Sequence, residues 1–297
     1  MKKIIICLFL SAGLSGCHVY RTYERPDMTV TDSLYRQPVV AADTVSIASL
    51  SWKELFTDPQ LQQLIETGIA NNTDLNIARL KVKEAEALLL SSKLAYLPSV
   101  SLTPQGTLSG VDGSKTSKTY DMAASADWEL DIFGKLTNAK RGAKAALEQS
   151  EAYRQAVQTQ LVATIANSYY TLLMLDKQLD ITRRTAETWD ENLRAMKALK
   201  RAGQTTEMAV AQTEASKLSV DASVLSIEQQ ISEMENSLSA LLGMAPQLIT
   251  RSTLDNQRFP ESLSTGVPLQ LLHRRPDIRQ KAVSYTHLRA HETELHL

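Results

Sequence analysis

Cysteine is nearly missing from this sequence: 297 residues hold two, Cys7 and Cys17. Cys7 lies inside a leading segment of targeting type, so the mature body has no pair to oxidise and its stability rests on packing. Aromatic residues are scarce at 5%, which disfavours a β-sandwich and suits long Ala/Leu-rich helices. Net charge is close to zero at −1, with no basic excess for nucleic acid. A Gly-rich phosphate loop, a G-x-S-x-G elbow and a Cys/His pair in the mature body are all lacking. An enzyme is therefore not expected, and neither is a cofactor. Glu84 and Glu86 lie on a charged helix face, where solvation explains them. Gly and Pro are absent from whole stretches: Thr73 to Leu97, Ala143 to Ala202, and Thr205 to Leu242. What remains is 43% hydrophobic, enough for a large core.

The start of the chain reads as an export signal. Lys2 and Lys3 precede an apolar run, Ile4 to Leu10, that is too short to span a bilayer as a permanent helix. Leu14-Ser15-Gly16-Cys17 resembles the bacterial lipobox, in which the Cys is diacylated, the peptide is cut before it and the new amine is acylated. Several acyl chains anchor stably where one does not. The alternative is an ordinary signal with an incidental Cys. His18 rather than Asp after the Cys resembles lipoproteins sorted to the outer membrane. Residues 1–16 are thus the expected lipoprotein signal peptide and 17–51 a lipidated tether, with Pro26, Pro38 and no clear period.

Order is expected from Trp52. Asp58-Pro59 reads as a helix start, with a stripe of Leu61, Leu64, Ile65 and Ile69. Asn72 caps a second helix that Pro98 stops, giving helices over about 58–71 and 74–97. The period then changes to two. Val100, Leu102, Gly106 and Leu108 alternate with polar residues, as do Tyr120, Met122, Ala124 and Ala126. These are two strands of a hairpin over about 99–130, each run long enough to cross a membrane when tilted. Tyr120 and Trp128 fall where an interfacial girdle places aromatics. A soluble hairpin on a globular core is the competing reading.

Helical pattern returns over about 136–201 and 206–242. Leu161, Ile165, Ser168, Leu172, Leu175 and Leu179 step by 4 and 3, a coiled-coil seam. Ala211, Ala215, Leu218, Ala222 and Leu225 repeat that spacing on the returning helix. Gly203 ends the first helix, and Thr205 or Thr206 caps the second. The first would be roughly 100 Å long, the second roughly 55 Å, and the 74–97 helix roughly 35 Å. The two shorter helices therefore share the long one. A rod results, with a hairpin at one end and a helical turn at the other. Alone it cannot bury its seams or close its strand edges, so oligomerisation is expected.

Two motifs then carry a resemblance. Trp128-Glu129-Leu130-Asp131-Ile132-Phe133-Gly134-Lys135 is similar to the W-x-L-D-L-F-G-[KR] segment of TolC-like outer-membrane efflux proteins, lipoprotein (NodT-type) branch. Leu271-Leu272-His273-Arg274-Arg275-Pro276-Asp277-Ile278-Arg279 resembles that branch's L-L-x-R-R-P-D-I-R. Leu241-Leu242-Gly243 before Pro246, and Arg201-Ala202-Gly203, also fit. The resemblance implies a mainly α fold: long antiparallel coiled-coil helices forming part of a periplasmic α-barrel, and one transmembrane β-hairpin contributing to a shared outer-membrane β-barrel. It implies a homotrimer in outer-membrane lipid, docked on a periplasmic adaptor and an inner-membrane pump, exporting drugs or metals. It also implies that Arg201, Ala202, Gly203, Gln204 and Thr205 form the tip that meets the adaptor. Trp128, Asp131, Phe133 and Gly134 form the strand-to-helix junction. A duct for type I protein secretion, and a lipid-anchored coiled-coil scaffold without a pore, are the alternatives.

Residues 52–262 make up a first repeat. Arg274, Arg275, Pro276 and Asp277 echo Asn71-Asn72-Thr73-Asp74 and should open a helix of a second, over 263–282. The chain is accordingly expected to be the N-terminal portion of a longer protein. Residues 283–297 resemble a translated sequencing-adaptor run and read as a non-native tail. His287 and His291 there have zinc-pair spacing but lack the Glu after the first His, so no metal site is expected.

Overall fold

The computed structural model describes residues 51–110, 116–258 and 275–283. The signal segment, Cys17, the tether to residue 50, Arg274, and His287 with the rest of 284–297 lie outside the described residues.

Helix starts are set by side-chain caps. A one-turn helix α1 (Trp52–Leu55) begins with a capping box in which Glu54 accepts from the Ser51 amide at 2.7 Å. Helix α2 (Pro59–Asn71) begins at Asp58, whose carboxylate accepts from the Gln60 amide at 2.9 Å. One residue separates it from α3 (Thr73–Leu94). That residue, Asn72, accepts from the Leu75 amide at 2.9 Å and donates from Nδ2 to the Leu241 carbonyl at 3.0 Å. Helix α3 stops at Leu94, three residues short of the expected end, and Leu97 N–H bonds the Leu94 carbonyl in a turn ahead of Pro98.

Strands β1 (Ser99–Ser109) and β2 (Ser117–Asp127) pair antiparallel, with Ser99 opposite Asp127 and Ser109 opposite Ser117. Helix α4 (Lys135–Arg201) follows and is 67 residues long, or about 100 Å. Helix α5 (Glu207–Leu241) returns along it for 35 residues, about 50 Å. A final helix occupies 276–283.

Two glycines end the long helices in the same way. Gly203 has φ +70°, with Gly203 N–H bonded to the Lys200 carbonyl and Gln204 N–H to that of Leu199. Gly243 has φ +68°, with the equivalent bonds to Ala240 and Ser239. Both are Schellman caps, which require a left-handed residue. Their surroundings differ. A Cβ on Gly203 would meet nothing within 4 Å, while one on Gly243 would lie 2.9 Å from the Asn71 carbonyl oxygen.

Helices α3 and α5 both pack on α4. Tyr96 meets Thr137 at one end of α4, and Lys200 pairs with Glu207 at the other. The two shorter helices meet near the middle, where Asn71 and Asn72 touch Gly243 and Leu241. The core gathers there, from Leu61, Ile65, Leu75, Ile165, Leu172, Leu238 and Leu242, all fully buried. The seam on α4 holds Leu161, Ile165, Leu172 and Leu175, but its centre is Tyr169 at 0% exposure, beside a half-buried Ser168. The α5 stripe corrects the sequence reading. Ala211, Ala215, Leu218, Ala222 and Leu225 all point away from α4, and the buried face runs through Val210, Thr213, Ile227 and Leu238. Two stripes share this helix, and the one through Val210, Thr213, Ile227 and Leu238 fills the α4 groove.

The contrast between the glycines gives a test. Gly203→Ala should cost about 1 kcal/mol, for backbone strain alone. Gly243→Ala should cost about 2–3 kcal/mol, because a clash with a carbonyl is added. Chemical denaturation followed by circular dichroism reads both. Equal losses would mean that the helix joint is not tightly packed.

Candidate functional site

The hairpin separates its two faces by chemistry, with Lys118 opposite Leu108 at the loop end of the apolar face and Ala123 opposite Thr103 on the polar one as the exceptions. On one face Val100 pairs with Ala126, Leu102 with Ala124, Pro104 with Met122 and Gly106 with Tyr120. On the other Ser101 pairs with Ser125, Gln105 with Asp121 and Thr107 with Thr119. The hydroxyls of Ser101 and Ser125 are 2.7 Å apart. Every residue of both strands is exposed. Eleven residues per strand span about 36 Å, or about 25 Å when tilted, which is the height of the apolar band of an outer-membrane barrel. The sheet has these two strands only among the described residues, so both outer edges are open. No helix among them is long and apolar enough to cross a membrane.

The expected junction residues Trp128, Asp131, Phe133 and Gly134 lie between the end of β2 and the start of α4. Trp128 donates from its indole to the Tyr96 carbonyl at 3.1 Å, fastening the end of β2 to the start of β1. Gly134 takes φ +76° and cannot cap α4 with a side chain. Asp131 caps it from three residues upstream, accepting from the Leu136 and Thr137 amides at 2.9 and 3.0 Å and from the Thr137 hydroxyl at 2.5 Å. The Thr137 hydroxyl bond, with the two amides, holds the Asp131 carboxyl below its ordinary range. Phe133 is 93% exposed and bonds nothing here.

At the opposite end, Arg201, Ala202, Gly203 and Gln204 are exposed around the Schellman turn, with Thr205 half-buried. Thr206, not Thr205, caps α5, accepting from the Ala209 amide at 3.3 Å. Arg275 and Asp277 form a local, exposed ion pair at 2.7 Å at the start of helix 276–283, where Pro276 occupies the first turn.

Sequence reasoning did not find the polar networks at the helix joint. Tyr169, buried, donates to Asp58 Oδ2 at 2.6 Å, and the Ser252 amide donates back to Tyr169 at 3.0 Å. Gln257 also donates to Asp58 Oδ2, at 2.7 Å. Burial pushes the Asp58 carboxyl up, but the bonds from Tyr169, Gln257 and the α2 amides outweigh it and hold it below the ordinary value. Burial, and then the bond to Asp58, raise the Tyr169 phenol. Nearby, Arg251 binds Asp176 through Nε and Nη2, the latter at 2.8 Å, and Glu235 through Nη1. These bonds strap 249–257 across the joint. The only sequence signal was the position of Tyr169, one residue off the 4-3 seam.

Residues 64–244 match the family of outer membrane efflux proteins. The chain belongs to that family. Its members are outer-membrane efflux channels, transporters rather than enzymes. The probable efflux pump outer membrane protein TtgC of Pseudomonas putida is 28% identical, over 94% of this chain and 60% of its own length. The cation efflux system protein CusC of Escherichia coli is also 28% identical, over 94% of this chain and 61% of its own. The outer-membrane channel OprN superposes with a TM-score of 0.72 at 26% identity, over 90% of this chain and 61% of that one. The open state of the Neisseria gonorrhoeae MtrE channel gives 0.70 at 26%, over 90% and 60%. The chain thus spans about 60% of the length of the relatives it matches.

The Asp131 clamp of this efflux-family chain should follow pH with a definite sign. A depressed carboxyl holds the helix start above the usual carboxylate range and releases it as pH falls through the lower folded value. Asp131→Ala should speed hydrogen exchange at the Leu136 and Thr137 amides at neutral pH, while Asp131→Asn should retain part of the protection. Unchanged exchange in Asp131→Ala would show that another group caps α4.

Proposed function

We propose that this chain supplies one outer-membrane channel subunit of a tripartite efflux system, passing small molecules such as drugs or metals outward, with a periplasmic adaptor and an inner-membrane pump. The observation that carries this reading is the hairpin: one face apolar except for Lys118 at its loop end, one face polar except for Ala123, and two open outer edges among the described residues. In lipid such edges must be paired, so copies join strand to strand around a lumen lined by Ser101, Gln105, Thr107 and Asp121. The outward stripe on α5 supports the same closure lower down, since Leu218 and Leu225 are 60% and 66% exposed. A homotrimer satisfies both layers. Cys17 carries the lipid that anchors each copy, and the turn at Arg201 to Thr205 meets the adaptor. Trp128, Asp131, Phe133 and Gly134 hand the barrel over to the helices.

The complete protein, purified and added to planar bilayers, should give discrete conductance steps. Deleting its gene should lower tolerance to at least one toxic compound, with restoration by wild type and reduced restoration by Cys17→Ala. A protein that conducts nothing, together with a deletion that leaves tolerance unchanged, would favour the non-pore scaffold.

A further inference from the structure

Cations are concentrated where the helices approach the strands. The first ten residues of α4 contain Lys135, Lys140, Arg141 and Lys144 and no acid. A helix N-terminus carries partial positive charge and favours acids, so this placement opposes the local preference. Of the acids nearby, Glu129 is committed to Lys135 at 2.7 Å and Asp131 to the α4 amides, while Glu148 and Glu151 line the groove farther along α4. Helix α3 adds Lys93 in its last turn. Lys93, Lys140, Arg141 and Lys144 line one groove of about 540 Å³ between α3 and α4, together with the hydroxyl-bearing Tyr96 and Thr137. Lys140 lies 5.8 Å from the Tyr96 ring centre. Lys144 reaches Glu148 only at 3.8 Å, and Lys93, Lys140 and Arg141 form no ion pair among the described residues.

An apolar ledge stands between this groove and the strands. Leu97, Leu130, Ile132 and Phe133 are 62%, 58%, 76% and 93% exposed. Lys140 and Arg141 lie about 9 Å along α4 from its start, close to the depth of a headgroup layer below the hydrocarbon. Cations below an apolar ledge complement an amphiphile with an anionic head.

We propose that the α3–α4 groove binds the phosphate of an anionic glycerophospholipid from the periplasm-facing leaflet. Lys93, Lys140, Arg141 and Lys144 hold the headgroup, and Leu97, Ile132 and Phe133 receive its acyl chains. This rests on the channel reading, which places the hairpin in the bilayer.

The complete protein is reconstituted into phosphatidylcholine vesicles with and without phosphatidylglycerol, floated, and re-extracted in mild detergent. Native mass spectrometry then counts the lipid retained. Wild type should float from both mixtures and retain phosphatidylglycerol in preference to phosphatidylcholine. Lys140→Gln with Arg141→Gln, and the variant with Lys93→Gln and Lys144→Gln added, should still float. Each cation removed should weaken the preference about five-fold. Equal phosphatidylglycerol retention by floating variants would overturn the proposal. So would wild type that holds inorganic phosphate as tightly as the lipid, or variants that lose only their oligomeric state. Wild type that never floats would sink the channel reading itself, and this site with it.

Discussion

One long helix has to be covered by two short ones, and the point where those two meet decides whether the structure holds. Neither α3 nor α5 reaches far enough along α4 alone. Their ends abut at Asn72 and Gly243, where Asn72 starts one helix and bonds the last carbonyl of the other. Gly243 turns away with no room for a side chain. Tyr169, Asp58 and Gln257 then tie α4, the start of α2 and the returning strap into one buried network. A buried carboxylate is tolerable there because its acceptor positions are filled. The hairpin and the tip are held at opposite ends of a rod whose stiffness comes from this joint.

Away from the joint the molecule is far from self-sufficient. Large apolar side chains remain exposed along α3 and α5, and among the described residues the strands have nothing on either face or outer edge. The same deficit recurs in both layers, at the sheet edges and on the outward α5 stripe. A single copy leaves both unsatisfied, and repetition about a common axis would satisfy both. In that geometry the polar hairpin face looks inward. The exposed aromatic Trp128 and Phe133 would then lie between the hydrocarbon and the cationic groove.

Much of this was legible in residue order, for local physical reasons. Period two in Val100 to Leu108 and Tyr120 to Ala126 fixes which face is apolar, because side chains alternate strictly along a strand. Asp58-Pro59, Asn72, Gly203 and Gly243 mark helix ends through backbone and capping chemistry that needs no tertiary partner. Less legible was which stripe of a helix faces its neighbour. Leu218 and Leu225 have seam spacing as good as that of Ile227 and Leu238, and only packing against α4 separates them. Least legible was contact between distant segments. Nothing near Asp58 in sequence announces Tyr169, Ser252 or Gln257, and Asp131 caps a helix that starts several residues later, beyond a left-handed glycine.

The two-faced hairpin carries the central claim, and accessibility scanning addresses it directly. Single spin labels placed in turn along 99–109 and 117–127 of the complete protein, in vesicles, report collisions with oxygen, which favours lipid, and with a water-soluble nickel chelate. Even-numbered positions such as 100, 102, 122 and 124 should favour oxygen, and odd-numbered positions such as 101, 105, 121 and 125 the chelate, with a period of two throughout. Uniform accessibility to the chelate, or a period near 3.6, would contradict a membrane-crossing hairpin and leave the long helices without a pore to serve.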